Sequence, residues 1–410
     1  MTKQTNYAGA SQFANALTGL QAWLESGHKN PSLVGMPEVL QQHPLMRQVW
    51  HGIDATQVWD CHAHIIGSGD SGTSGAWATP KMDSWLHPIL KIQKYFHING
   101  AGLDAHNEDT SFVARLAHLS SEMPAGYKTM LFAFEWAHDE AGEQIKEDSI
   151  FHIPNDYAAK IVAQHPQHFE WVASIHPYRA DAIDALEQAH AQGAVAMKWL
   201  ASSMGIDPAS PKCTKFYQKM QMLDMPIITH VGRESAVPGG DLNFNNPLKT
   251  RHMLDAGVRI VMAHCASDGF DKDYDNGNKI VTSFELFARM MDMPEYDKLL
   301  FGDISATTLF NHAWVLKHIL QRTDWHHRLH NGTDYPLPGV FPLITSGQFY
   351  REGMLAAEHL PFLKDVRKYN PIMFDFAMKR LLSFEGKQFP VSVFETRRMF
   401  DKNYKMQLKE

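Results

Sequence analysis

From residue 56 onward the chain repeats one rhythm: a short apolar run, a polar loop, then a stretch whose apolar residues recur at helical spacing. The runs are TQVWDCHAH (56–64), YKTMLFAFE (127–135), FEWVASIHP (169–177), GAVAMKWL (193–200), MPIITHV (225–231), VRIVMAHC (258–265), KLLFGDIS (298–305) and HRLHNGTD (327–334). Segments apolar on both faces are what parallel strands covered by helices require. Helical patterns lie between them, such as ADAIDALEQAHAQG (180–193) and NPLKTRHMLDAG (246–257), each closed by the glycine that suits a helix end. Eight strands alternating with helices predict a (β/α)8 barrel over 56–340. An open dinucleotide-binding sheet would want GxGxxG after the first strand, and none stands there.

The remaining chain decorates this barrel. Two amphipathic helices, about 10–26 and 36–50, are predicted within an N-terminal extension (1–55) and are broken by GHKNPS. A long insertion, about 66–126, follows the first strand; it holds a Gly/Ser loop, a Trp/Pro-rich piece (77–88) and a helix near 108–122. Residues 341–410 read as C-terminal helices packed outside the barrel.

In such a barrel, chemistry collects where strands end at their C-terminal side. Strand one ends in His62 and His64, strand three in His176 and strand four in Lys198. Strand five ends in His230, strand six in His264 and strand eight in Asp334. Alternation along a strand turns His62 and His64 inward, with Cys61 and Ala63 facing the helices and Asp60 one layer below the histidines. With His230, His264 and Asp334 they make an N/O ligand set suited to Zn, Mn, Fe or Ni, with room for a water. A divalent ion there lowers the pKa of that water and polarises a carbonyl.

These motifs carry a resemblance. DCHAH, AVAMKWL, PIITHVG, VRIVMAHC and NGTDYP together resemble the amidohydrolase superfamily, in particular its amidohydrolase-related TIM-barrel branch, over about 56–340. The resemblance implies that His62 and His64 bind a buried metal, that His230 and His264 are further ligands, and that Asp334 is a ligand that also takes the proton of the attacking water. His264 and Asp334 then form the catalytic pair. His176, in HPY (176–178), falls in the segment that faces substrate, and Arg233 and Glu234, just after the strand-five ligand, are candidate substrate contacts. Lys198 stands where binuclear members carry a carboxylated lysine bridging two metals. A lysine paired with a carboxylate is the other reading, so one ion or two, zinc first among them, remain open. The implied reaction is hydrolysis of an amide, ester or lactone of a small molecule. Non-oxidative decarboxylation of an aromatic or enoic acid is the alternative, and a metal-binding barrel without catalysis is the third reading.

Composition narrows the partners. The net charge of −7 and the lack of long basic runs speak against nucleic acid. No apolar stretch is long enough for a membrane span, and the first residues do not read as a secretory signal. Three widely spaced cysteines (Cys61, Cys213, Cys265) argue against a disulfide framework and for a reducing cytoplasm. A homo-oligomer is compatible with the sequence. The insertion's Trp77, Trp85, His87, Lys91, Tyr95 and His97 fit a pocket for a planar or apolar group, and equally the packed core of an appended subdomain. One rival signature, GDSG within GSGDSGTSG (67–75), matches the nucleophile loop of chymotrypsin-like proteases. The matching histidine motif, MAHCAS (262–267), follows it instead of preceding it, and the pattern around both is α/β. Residues 67–75 therefore read as a flexible loop placed to move over the metal site.

Overall fold

The structure, a computed structural model, describes residues 34–104, 106–234, 237, 239–340 and 343–401; the helix expected at 10–26 lies outside them. Each of the eight predicted runs contains a strand: β1 (Trp59–His64), β2 (Lys128–Phe132), β3 (Phe169–Ala173), β4 (Ala196–Trp199), β5 (Ile227–Thr229), β6 (Ile260–Met262), β7 (Leu300–Asp303) and β8 (Leu329–His330). They pair in chain order, all parallel. The barrel closes past the end of β8, where Asp334 N donates to His62 O (2.7 Å) and His64 N to Tyr335 O (2.9 Å). Closure needs Gly332, because a Cβ there would stand 2.6 Å from the Cβ of His62. The (β/α)8 fold read from the pattern is the fold observed.

Strand β1 departs from simple alternation. Asp60 pairs with Thr129 and Ala63 with Leu131, so Cys61 and His62 together face a single residue of β2. This is a β-bulge, which re-aims side chains locally. Cys61 consequently packs inside the barrel with Trp59, Met130, Phe132, Val172 and Ile228, and does not face the helices as expected. Asp60 in turn leaves the inward face. It accepts from Thr333 N (2.8 Å), Thr333 Oγ1 (2.5 Å) and Tyr127 OH (3.3 Å), and so ties β1 to the segment after β8.

Flanking elements follow local chemistry. The helix expected over 36–50 splits into Glu38–Gln41 and Pro44–Trp50. Pro44 lacks the N–H to continue a helix and holds His43 extended. The insertion supplies the helices Pro88–Ala101 and Glu108–Ser121. The helices His359–Tyr369 and Pro371–Leu381 share the main hydrophobic core with the barrel, and Met399 and Phe400 close its floor from below.

Candidate metal centre at the barrel mouth

The polar residues at the strand ends converge. His62 Nε2 and His64 Nε2 lie 3.5 and 3.1 Å from Asp334 Oδ1, and His264 Nε2 lies 3.8 Å from Asp334 Oδ2. The rings of His62 and His264 are 4.9 Å apart, and those of His264 and His230 5.3 Å. Lys198, wholly buried, brings its Nζ to 3.1 Å from His62 Nε2 and 4.7 Å from the centre of the Phe132 ring. All of these except Phe132 line one cavity of about 530 Å³ at the C-terminal mouth of the barrel.

His62 and His264 each have Nδ1 committed elsewhere, leaving Nε2 for the cluster, whereas both nitrogens of His230 meet its own loop. His62 Nδ1 pairs with Asp303 Oδ2 at 2.9 Å. His264 Nδ1 meets Ser305 O at 3.0 Å and Ser305 Oγ at 2.9 Å. His230 Nε2 meets Arg233 O at 3.1 Å, while its Nδ1 lies 3.3 Å from Glu234 Oε2. Fixing one nitrogen sets the tautomer and aims the other lone pair, the usual arrangement around metal-bound histidine. Asp303 is itself held by His264 N (2.8 Å), Ser305 N (3.0 Å) and Ser305 Oγ. It was overlooked in the sequence although it is the polar end of strand seven, where the strand-end rule applies unchanged.

Electrostatics sharpen the picture. Burial would raise the Asp334 carboxyl, but His62, His64 and His264 outweigh it and hold the group well below the ordinary carboxylate range. Burial, reinforced by the Lys198 charge, lowers His62 to about 4, so it stays a neutral donor of its lone pair. Burial likewise brings the Lys198 ammonium down to about 8, against the pull of Asp303, Asp334 and Glu234. Despite its neighbours, Asp334 Oδ1 is buried without a hydrogen bond. A buried carboxylate oxygen held among imidazole nitrogens without a well-formed hydrogen bond costs stability unless a cation joins them. The donor set therefore fits a divalent ion. Among the described residues, His62, His64 and Asp334 form one group compact enough to hold one, and His62, His264 and Asp303 another. The second is the pairing that orients His62 and His264.

Backbone conformation aims these residues at a cost. His264, Cys265 and Ala266 have φ of 55°, 50° and 52°, and Asp334 has 59°. Left-handed backbone at non-glycine residues costs of order 1–3 kcal/mol each and persists only where the surroundings hold it.

Not every expected residue arrives. His176 is buried away from the cavity, its Nε2 on Met204 O (3.0 Å) and its Nδ1 accepting from Tyr178 N (3.2 Å). Both nitrogens are used by backbone, so it offers nothing to a substrate. Arg233 and Glu234 do line the cavity, Arg233 exposed and Glu234 bound to Val237 N (2.9 Å). Two further histidines stand on the wall: His97, from the insertion helix Pro88–Ala101, and His312, whose Nδ1 meets Ser267 Oγ at 2.6 Å. His312 follows strand seven and had no sequence signal beyond that position.

The Gly/Ser loop is tethered, contrary to the expectation of a free lid. Asp109 accepts from Ser68 N, Gly69 N and Ser71 N and from the hydroxyls of Ser71 (2.7 Å) and Ser74 (2.6 Å). Asp70 accepts from Asp109 N (3.1 Å) and Glu108 N (2.5 Å), so it caps the helix Glu108–Ser121. The Ser71 hydroxyl is thus committed to a carboxylate, and no imidazole among the described residues is bonded to it.

Comparison with known proteins adds a family. The sequence profile described as Amidohydrolase matches residues 59–352, well over half the chain. No curated protein matches the sequence significantly. Among solved structures, 5-carboxyvanillate decarboxylase from Sphingomonas paucimobilis is similar at 11% identity, covering 84% of this chain and 98% of its own, with a TM-score of 0.46. A probable 2-pyrone-4,6-dicarboxylic acid hydrolase from Acinetobacter baumannii shares 14%, covering 82% and 99%, with a TM-score of 0.42. An uncharacterised TIM-barrel protein from Bordetella bronchiseptica also shares 14%, covering 72% and 97%, at 0.45. At this distance such likenesses carry no detail of chemistry.

Proposed function

We propose that this chain, which belongs to the amidohydrolase family over residues 59–352, is a metal-dependent hydrolase of a small-molecule amide, ester or lactone. The observation that carries the reading is Asp334: a buried, ionised carboxylate with one oxygen unbonded, facing the Nε2 atoms of His62, His64 and His264. His62, His64 and Asp334 would hold the first divalent ion, zinc by preference for this N/O set. Such an ion supplies a water of near-neutral pKa and polarises the scissile carbonyl. The chain's own groups do the rest. Asp334 accepts the proton at Oδ2, the oxygen turned toward His264 and away from the ion's ligands His62 and His64, and returns it to the leaving group, a transfer worth about 10²–10⁴-fold in rate. Asp303 and Ser305 keep His62 and His264 in the tautomers that leave Nε2 unprotonated.

Lys198 belongs to this proposal as a carboxylated residue, completing with His230 and His264 a second metal position. Two features support it: the amine is buried beside the ligands, and its lowered pKa favours the neutral form that adds CO2. The compartment we assign is the cytoplasm, in keeping with three free, buried cysteines. The test is metal analysis of the purified protein beside turnover of ester, amide and lactone panels. Two ions per chain are expected, falling to one or none in Lys198→Ala together with activity. Full metal content and activity in Lys198→Ala would end the carbamate assignment. Release of CO2 from aromatic acids, with no hydrolysis of any panel member, would replace the hydrolase reading with a carboxy-lyase.

A further inference from the structure

The walls of the cavity above the metal cluster say what can enter. Apolar side chains, among them Ile65, Phe96, Phe151, Leu200, Leu309 and Leu343, make up most of the surface, and Phe310 stands exposed at the rim. Charged groups are few and mostly spoken for. Lys94 is neutralised by Asp83 (2.9 Å) and Glu108 (3.2 Å), Glu234 holds Val237 N and meets His230, and Asp268 accepts from Asn311 (3.2 Å). Arg233, at the exposed edge, has no carboxylate paired with it among the described residues. His97 lines the wall, and its ring makes no hydrogen bond to any described residue.

Resting on the hydrolase reading of the cluster, we infer that the substrate is a neutral or singly anionic carbonyl compound with a compact apolar body, one polar tail meeting His97 or Arg233. Polycarboxylates and sugars are excluded by the same surface. Of the cations around the cavity, Lys94 is paired with two carboxylates and Lys198 lies among the ligands, which leaves Arg233, among the described residues, open to a substrate. One such charge suits one anionic group. A second carboxylate would be pressed against apolar side chains with no partner, which is expensive. Hydroxyl-rich substrates meet the same difficulty, since the phenylalanine and leucine walls offer them no hydrogen bonds.

The test is calorimetric binding to the metal-loaded protein, using three probes on one ring: 4-ethylbenzoate, 4-ethylbenzamide and isophthalate. Binding of 4-ethylbenzoate at least about tenfold tighter than isophthalate is expected, since an unpaired second carboxylate outweighs the 1.4 kcal/mol that corresponds to tenfold. Arg233→Gln should weaken the benzoate and leave the benzamide unchanged. Phe96→Asn should weaken both, and Phe310→Ser, at an exposed position that leaves the fold alone, should weaken both to a smaller degree. Isophthalate binding as tightly as 4-ethylbenzoate, or indifference of all probes to Phe96→Asn and Phe310→Ser, overturns the inference. The two readings fail separately. Tight binding of the apolar probes with no hydrolysis of any ester, amide or lactone removes the hydrolase and leaves the substrate shape standing. Hydrolysis confined to polycarboxylate esters removes the substrate shape and leaves the hydrolase.

Discussion

Two hollows of nearly equal size open at opposite ends of the barrel, about 530 Å³ at the mouth and about 500 Å³ at the floor. Their volumes do not tell them apart; their unmet demands do. At the floor, charges are matched: Lys128 meets Glu170 at 2.6 Å, Arg397 meets Asp401 at 2.8 Å and Arg259 meets Asp224 at 2.8 Å. Thr396 and Trp59 bond each other's backbone or hydroxyl, and Phe400 seals the apolar interior. At the mouth, Asp334 keeps an unbonded oxygen, imidazoles crowd together, and His264, Cys265, Ala266, Ala306 and Asp334 all carry positive φ, as Asp224 does at the floor. A fold retains such costs only where something else compensates them, here ligands the chain itself does not supply. The floor pairs its charged groups within the chain; the mouth leaves a buried carboxylate oxygen open to a ligand.

The contrast can be broken at several strengths. Asp334→Asn should cut turnover by about 10²–10⁴-fold while the chain stays folded, whereas Glu170→Gln at the floor should change it by less than about twofold. Steady-state rates with metal content measured in parallel decide this, and equal losses at both ends would erase the distinction. Phe400→Ala should reverse the pattern: a loss of about 3–5 kcal/mol in denaturant stability, with turnover of the folded fraction intact. Stripping metal with a chelator should lower the melting temperature, corresponding to about 3 kcal/mol when the ion was present at a hundredfold excess over its dissociation constant. The drop should reverse on adding zinc and should be absent in His62→Ala.

A separate effect is in pH. Burial lowers His97 and His312 to about 4 and His330 to about 3, below the ordinary histidine value of 6.5. The unfolded chain therefore binds more protons than the folded one between those values. Stability of the metal-free protein should be full above about pH 6.5 and decline as pH falls toward 4. Denaturation midpoints across that range should fall less steeply in His97→Asn, since one of the depressed histidines is gone.

Much of this was legible in the one-dimensional pattern. Each apolar run is a strand because burial on both faces demands it, and the polar residue ending each run stands at the rim because the run has just left the core. That logic brought His62, His64, Lys198, His230, His264 and Asp334 to one place, and it would have included Asp303 had strand seven been read in the same way. It failed for His176, whose strand end turns down to the backbone of Met204 and Tyr178. It also failed for Cys61, because alternation holds only while register does, and the bulge at Cys61 and His62 breaks it.

By itself, then, the sequence determined the barrel, the order of its strands and the chemical type of residue at their ends, since these follow from local periodicity. Only the tertiary structure decided which nitrogen of each histidine faces the cluster, that the GDSG serine belongs to Asp109, and that the cavity above the metal site is apolar. Those outcomes depend on groups far apart in the chain. His62 meets Asp303 across 241 residues and Ser71 meets Asp109 across 38, separations over which no local pattern specifies a contact.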